Sequence, residues 1–160
     1  MTGVRLHRAH IAALGYDALS DVERLMQRAF DPRYGEAWSK AQCLSLMALP
    51  GYRICGLMSP EGAMLGFSIS RSVAGECELL LIAIDPSVRR SGYGSLLIDH
   101  WIDDCRASGA GRLFLEVRAD NPALGLYQRV GFSQAAIRPS YYRGQDGVMR
   151  DAITMQLILE

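Results

Sequence analysis

One stretch of the chain joins an apolar strand to an amphipathic helix through a short basic loop. Leu79–Ile84 is apolar, Asp85-Pro86 breaks the strand, and a helical pattern begins after Arg89-Arg90-Ser91-Gly92-Tyr93-Gly94. A loop at the start of a helix presents backbone N–H groups that have no partner inside the helix, and the helix dipole favours an anion there. The stretch therefore predicts a strand–loop–helix unit that binds a phosphate group of a nucleotide-like ligand.

Two common phosphate-binding motifs do not fit this loop. A dinucleotide-binding loop needs a third glycine where this chain has Leu97, and a P-loop needs Gly-Lys-Ser or Gly-Lys-Thr. Because Gly92 and Gly94 carry no side chain, a phosphate group could approach the backbone of the loop closely. A simple turn is the alternative interpretation. If the loop does bind a phosphate, the rest of the chain must identify the ligand.

Length and charge limit the class of protein and its partners. A chain of 160 residues that is 49% hydrophobic is typical of one globular domain, and we expect residues 1–160 to form it. Lys and Arg together number 17, as do Asp and Glu, so the formal net charge is zero. No global field attracts nucleic acid or a membrane surface. We therefore expect neither as a direct partner.

The cysteines and histidines indicate no metal centre and no disulfide framework. The cysteines are widely spaced among apolar neighbours, which favours buried free thiols and a reducing compartment; they are Cys43, Cys55, Cys77 and Cys105. His7, His10 and His100 lack the spacing of metal ligands or of a catalytic triad. The first residues lack the apolar core of a signal peptide. We expect a cytoplasmic protein without a metal.

Hydrophobic periodicity and turn residues predict an α/β (α+β) fold. The predicted helices are Ile11–Phe30, Trp38–Leu49, a helix from about Gly92 to the glycines at 109–111, and Asn121–Val130 with Asn121 as its N-cap. The predicted strands are Val4–Arg8, Tyr52–Met58, Ala63–Arg71, Glu76–Ile84, Arg112–Arg118, Phe132–Ile137 and Arg150–Leu159. This order predicts a mixed, mostly antiparallel sheet of six to seven strands with helices on both faces.

The basic loop resembles the acetyl-CoA pyrophosphate loop of the GNAT superfamily of N-acetyltransferases. Other segments extend the resemblance: the strand from Glu76 to Pro86, and the Asn…Leu-Tyr-x-x-x-Gly-Phe signature at Asn121, Leu126-Tyr127 and Gly131-Phe132. Leu115–Asn121, Ile137–Tyr142 and Asp151–Met155 are similar to the branch that acetylates the N-terminal alanine of a small-subunit ribosomal protein. The similarity is strong over residues 76–160 and weaker before them.

The resemblance implies an enzyme that transfers an acetyl group from acetyl-CoA to the N-terminal α-amine of a ribosomal protein, by direct attack in a ternary complex. It places the general base on Glu116 and the general acid on Tyr127. It also implies which residues bind acetyl-CoA: Ile82, Ala83, Ile84, Arg89, Arg90, Ser91, Gly92, Tyr93, Gly94, Ser95 and Asn121. Between Asn121 and Tyr127 the chain is one residue shorter than the family pattern.

Several roles and functions stay open at this point. Glu78 is a rival base, Glu116 could face solvent or pair with an arginine, and Tyr127 could be a core residue. Residues that could line the acceptor groove are Trp38, Glu78, Tyr141 and Tyr142. Two other functions remain: a GNAT enzyme that acetylates a small amine or a lysine side chain, and a non-catalytic acyl-CoA-binding module.

Overall fold

The computed structural model describes residues 8–160, in which seven strands form one sheet in the order β1-β2-β3-β4-β5-β7-β6. The strands are β1 (His10–Ala13), β2 (Tyr52–Met58), β3 (Met64–Val73), β4 (Glu76–Ile84), β5 (Arg112–Arg118), β6 (Ser133–Arg143) and β7 (Met149–Ile158). The helices are α1 (Leu19–Ala29), α2 (Lys40–Met47), α3 (Tyr93–Ala107) and α4 (Leu124–Arg129). Short 3-10 turns lie at Tyr16–Ala18, Pro32–Tyr34 and Pro86–Val88.

The sheet is mixed, mostly antiparallel and covered by helices on both faces, which confirms the predicted fold class. On one face, α1 buries residues such as Leu25 and Met26 against Phe67 and Ile69 of β3. On the other face, α3 and α4 pack on Leu115 and its neighbours in β5. Each strand can serve both cores because successive side chains point to opposite faces.

The pairing of β4 with β5 is parallel and stops early. It runs from Glu76 opposite Arg112 to Leu79 opposite Leu115. On its other side, β4 stays paired with β3 as far as Ile84. The last five residues of β4 therefore have no strand partner on their β5 side among the described residues.

Two predicted elements near the start of the chain need correction. The predicted helix Ile11–Phe30 is wrong over its first part, where Ile11 lies in β1 and pairs with Leu57 of β2, and α1 begins only at Leu19. This short apolar segment is a strand because β2 offers it a partner, which local periodicity cannot detect. In the predicted strand Val4–Arg8, residues 4–7 lie outside the described part of the chain, and Arg8 is in a turn.

The predicted helix Asn121–Val130 is shorter in the structure, and its N-cap differs. α4 begins at Leu124, and Ala123 occupies the cap position. The Asn121 side chain still accepts a hydrogen bond from the Ala123 backbone N–H at 2.9 Å, as in an Asx turn.

In the part of the chain that the structure describes, no helix is long and apolar enough to cross a membrane.

Candidate active site

A cavity of about 380 Å³ opens where β4 and β5 separate, and we name it the split-strand cavity. It lies between the ends of these strands, the segment that joins α1 to α2, α4 and the end of β6. Its lining residues are Phe30, Tyr34, Gly35, Glu36, Trp38, Leu79, Leu80, Leu81, Ile82, Leu115, Glu116, Val117, Arg118, Asn121, Tyr127, Tyr142 and Arg143.

Glu116 reaches this cavity from the face of the sheet that carries α1 and α2. Its neighbours in β5, Leu115 and Val117, belong to the core on the opposite face, so alternation turns Glu116 toward the first face. The carboxylate is 24% exposed and lies 3.4 Å from Nε of Arg138. The Tyr142 hydroxyl donates a long hydrogen bond of 3.5 Å to the other oxygen. β6 thus fixes a carboxylate that still has access to solvent.

Tyr127 reaches the same cavity from the opposite face of the sheet. It is 6% exposed, packs edge-on against Phe132 and belongs to the core beneath α3 and α4. Burial, assisted by the negative charge of Glu36, raises the pKa of Tyr127 to about 12. The phenol is therefore protonated, and able to donate a hydrogen bond, throughout the physiological pH range.

The structure brings some of the other candidate residues to the cavity and leaves others outside it. Trp38 and Tyr142 line it, whereas Tyr141 is exposed and Glu78 is absent from its lining. Burial, opposed by Arg71 and reinforced by Glu116, raises the pKa of Glu78. Burial and the charge of Glu116 also raise the pKa of Tyr142.

The sequence analysis missed a charged cluster on the side of the cavity that the segment between α1 and α2 forms. Arg118 is 5% exposed and forms ion pairs with Glu36 and Asp120. Its guanidinium lies 3.4 Å from the centroid of the Tyr34 ring, and the guanidinium of Arg150 lies 4.8 Å from the same centroid. A buried arginine needs such partners, because an unpaired buried charge is costly.

This cluster holds the segment between α1 and α2 over the end of β5. The Gln145 N–H, in the β6–β7 turn, donates to the Arg33 carbonyl at 2.7 Å and ties that turn to the same segment. One signal in the sequence could have revealed the arginine: Phe114, Glu116 and Arg118 alternate on one face of β5. Nothing local indicates that Glu36 is its partner.

The basic loop leads from β4 into α3 as predicted, with Gly92 at the N-cap in the left-handed region at φ 83°. Arg90 is also left-handed, at φ 60°. Together these two residues turn the backbone so that the first N–H groups of α3 face outward without helical partners. A second cavity of about 1230 Å³, the loop cavity, is lined by residues that include Arg90, Ser91 and Tyr93.

The remaining loop candidates have different surroundings. Arg89 donates to the Ala29 carbonyl at 2.7 Å and to the Ile84 carbonyl at 3.4 Å, so its side chain joins α1 to the end of β4. Ala83 is buried against the α1 core. Gly94 and Ser95 lie in the first turn of α3, where a side chain at Gly94 would meet Leu126 at 3.2 Å.

An extended thioester cofactor with a pyrophosphate fits these two features together. The unpaired edge of β4 offers backbone groups to an extended amide-containing arm, as in strand addition. The N-terminus of α3 and its left-handed loop offer N–H donors to phosphate oxygens. Residues 80–84, 90–92 and the first turn of α3 are therefore the ones that could hold such a molecule.

Comparison with known proteins identifies the family. The acetyltransferase (GNAT) family model matches residues 19–132, which shows that the chain belongs to this family and is an acetyltransferase. The [ribosomal protein bS18]-alanine N-acetyltransferase of Escherichia coli K12 is 43% identical over 101 residues, covering 62% of this chain and 68% of that protein.

Solved structures share the fold. The ribosomal-protein-S18-alanine N-acetyltransferase from Escherichia coli superposes with a TM-score of 0.85 at 35% identity, covering 95% of this chain and 94% of that one. A GNAT superfamily phosphinothricin acetyltransferase from Sinorhizobium meliloti, in complex with AcCoA, superposes with a TM-score of 0.80 at 18% identity, covering 99% and 89%. This second likeness is one of fold.

Asp85 sets the entry to the basic loop and gives stability that depends on pH. Its carboxylate accepts from the Ser87 N–H at 2.9 Å and the Ser87 hydroxyl at 2.8 Å, and it pairs with Arg28 at 2.8 Å. These bonds lower the pKa of Asp85 to about 2 from its ordinary 3.8. A carboxyl whose pKa is lower in the folded state than in the unfolded state stabilises the fold at pH values above its unfolded-state pKa. This stabilisation is lost as the pH falls through the folded-state pKa.

We therefore expect Asp85→Asn to lower the free energy of unfolding at pH 7 by about 2 kcal/mol. The difference from wild type should shrink as the pH falls from about 4 toward 2, because the wild-type carboxyl is then protonated as well. Urea unfolding between pH 7 and pH 3 measures this. Asp99→Asn, at an exposed position on α3, is the control and should change little. A constant Asp85→Asn difference across this range would contradict the assignment.

Proposed function

We propose that this acetyltransferase moves an acetyl group from acetyl-CoA to the N-terminal α-amine of a protein, by direct attack in a ternary complex. The observation that carries the proposal is the meeting of Glu116 and Tyr127 at the split-strand cavity from opposite faces of the sheet. A base on one side and a hydroxyl donor on the other suit an amine and a thioester that approach each other through the gap.

The acceptor that we propose is the N-terminal alanine of a small-subunit ribosomal protein, with cytoplasm as the compartment. The name of the similar Escherichia coli enzyme supports this choice, since it specifies an alanine of ribosomal protein S18. The chemistry is consistent with it. An α-amino group has a pKa near 8, so roughly a tenth of it is neutral at pH 7, whereas lysine with a pKa of about 10.4 is almost fully charged.

Glu116 acts as the base in this proposal. It accepts a proton from the attacking amine, directly or through one water, while Arg138 and Tyr142 hold its carboxylate in place. An α-amine demands only modest help from such a base at neutral pH. Glu78 does not fill this role in our proposal, because it is not part of the cavity lining.

Tyr127 stabilises the leaving thiolate in this proposal. Its pKa of about 12 lies well above the value of about 8.5 for a thiol. Complete proton transfer to the sulfur in this environment would cost on the order of 5 kcal/mol. A hydrogen bond from the Tyr127 hydroxyl to the sulfur requires less free energy than complete proton transfer. In this role the bond forms as negative charge develops on the sulfur, and the proton moves late.

Acetyl-CoA, the donor in this proposal, supplies the thioester. Its pyrophosphate would be held by backbone N–H groups from Arg90 to Ser95, and its pantetheine arm by the backbone of Ile82 and Ile84. The free edge of β4 and the left-handed Gly92 support this placement. Asn121 lines the split-strand cavity, but its amide oxygen already accepts a hydrogen bond from the Ala123 backbone N–H.

An alanine-terminated peptide tests the acceptor. The chain is incubated with acetyl-CoA and a peptide with a free N-terminal alanine, and with the same peptide blocked at its N-terminus but containing a lysine. Mass spectrometry should locate acetyl on the free α-amine and leave the blocked peptide unmodified. If only the blocked peptide is acetylated, the enzyme acts on lysine. If neither peptide is acetylated, the proposal that the enzyme acts on an N-terminal alanine fails.

Glu116→Gln tests the base. We expect its kcat with the alanine peptide to fall by about 100-fold at pH 7. The loss should shrink above about pH 8, because the amine is then neutral without help. A rate profile from pH 6.5 to pH 9.5 measures both effects. Glu78→Gln is the matched control and should follow the wild-type profile; a pH-dependent loss in Glu78→Gln alone would move the base to Glu78.

Gly92→Ala tests the donor loop. A side chain at this left-handed residue strains the loop that presents N–H groups to the donor, so we expect the KM for acetyl-CoA to rise about tenfold with a smaller change in kcat. Gly109→Ala is the control, because Gly109 follows the other end of α3 at φ 81° and no atom of the described residues lies within 4 Å of an added Cβ. An equal effect of both variants on KM would mean that general strain, not donor contact, is responsible.

A further inference from the structure

A third cavity, of about 360 Å³, lies between β2, β3 and α3, and within residues 8–160 it shares no lining residue with the two cavities described above. We name it the serine-lined cavity. It forms because β3 alternates large and small side chains: Phe67 and Ile69 fill the core beneath α1, while Ser68, Ser70 and Ser72 face α3. Small serines leave space beneath the helix that apolar side chains would otherwise fill.

Three metal-ligating side chains meet at this cavity. Cys55 comes from β2, and His100 and Asp104 lie one turn apart on the same side of α3. One donor atom from each residue lies within 4.8 Å of the other two. Two ligands at positions i and i+4 of a helix, with a third from a facing strand, are a common way to hold a metal ion.

The distances suit a small tetrahedral ion after modest adjustment. Nδ1 of His100 and Oδ2 of Asp104 are 3.8 Å apart. In a tetrahedral zinc site, with bonds of about 2.0 Å to nitrogen and oxygen, these atoms would be roughly 3.3 Å apart. Both helical side chains are 37% exposed and have room to rotate by this amount.

Thiolate, imidazole and carboxylate together favour zinc over the harder cations. Magnesium and calcium prefer ligand sets made only of oxygen, whereas zinc accepts sulfur, nitrogen and oxygen at once. Three protein ligands leave a fourth position for water. Trp101 lines the same cavity, and its indole Nε1 is buried without a hydrogen-bond partner among residues 8–160.

One cation now competes for the carboxylate. Nη1 of Arg53 lies 2.8 Å from Oδ2 of Asp104. The Arg53 side chain is 60% exposed, and an exposed ion pair of this kind contributes little to stability. Arg53 can therefore turn into solvent when a divalent ion takes its place.

We propose that Cys55, His100 and Asp104 form a binding site for one zinc ion, with the fourth coordination position open to water. The proposal is independent of the acetyl-transfer site, since no residue is shared. On binding, the Cys55 thiol releases its proton to solvent and its sulfur becomes a ligand. The ion joins β2 to α3, the helix whose first turn follows the basic loop.

Metal titration of the untagged, chelator-treated protein tests the site. We expect calorimetry to show one zinc ion bound per chain with a Kd below about 10 µM. Zinc at a hundredfold excess over Kd should raise Tm by on the order of 5–10 °C. Co²⁺ in place of zinc should give a thiolate-to-cobalt charge-transfer band in the near ultraviolet. Weaker binding, or cobalt binding without that band, would overturn the proposal.

Variants assign the ligands. Cys55→Ser should abolish the charge-transfer band, and His100→Asn and Asp104→Asn should each weaken zinc binding at least tenfold. The two helix variants alter partly exposed side chains, so they keep the test valid even if Cys55→Ser does not fold by circular dichroism. Cys43→Ala and His10→Asn, at a thiol and an imidazole on other elements, are the controls and should bind like wild type. Equal losses in ligand and control variants would mean adventitious binding.

Discussion

The gap at the centre of this molecule exists because the parallel ladder between β4 and β5 is short. Pairing ends at Leu79 and Leu115, and a bulge at Leu80 follows at once in the pairing of β4 with β3. Leu79 packs beneath α3, whereas Leu81 packs beneath α1, so the bulge shifts the alternation of β4 by one residue. A bulge of this kind increases local twist, which turns the end of β4 away from β5.

The proposed chemistry depends on that separation. If the β4–β5 register continued, Leu80 would pair with Glu116 and the sheet would be closed at that point. Glu116 and Tyr127 would then lie on opposite sides of a continuous hydrogen-bonded layer. Because the layer is open, a carboxylate from one face and a buried hydroxyl from the other line one cavity. The same opening leaves backbone groups of β4 available to an extended ligand.

The sequence was sufficient for those parts of the fold that local pattern determines. The bounds of β2, β4 and β5 match their predictions, since each is an apolar run between turn residues. The helix predicted from Ile11 failed because a few apolar residues fit a strand or a helix equally well until the partner strand is known. The ion pair of Arg118 with Glu36 joins distant segments, and no local pattern carries that information. For the same reason, local pattern could not show that Cys55 lies near His100 and Asp104, which are distant from it in the sequence.

The regions that we propose for the donor and for the acceptor are built by different physical means. In the proposed donor region, the edge of β4 beside the split-strand cavity and the left-handed residues and helix N-terminus at the loop cavity offer main-chain groups, which tolerate most side-chain changes. In the proposed acceptor region, the segment around Tyr34 and Glu36 is held by Arg118 and Arg150 through ion pairs and ring contacts. Substitutions in that segment would alter the proposed acceptor region while the main-chain groups of the basic loop remain present. In our proposal, changes in this segment would therefore alter acceptor preference while the main-chain groups that hold the donor are kept.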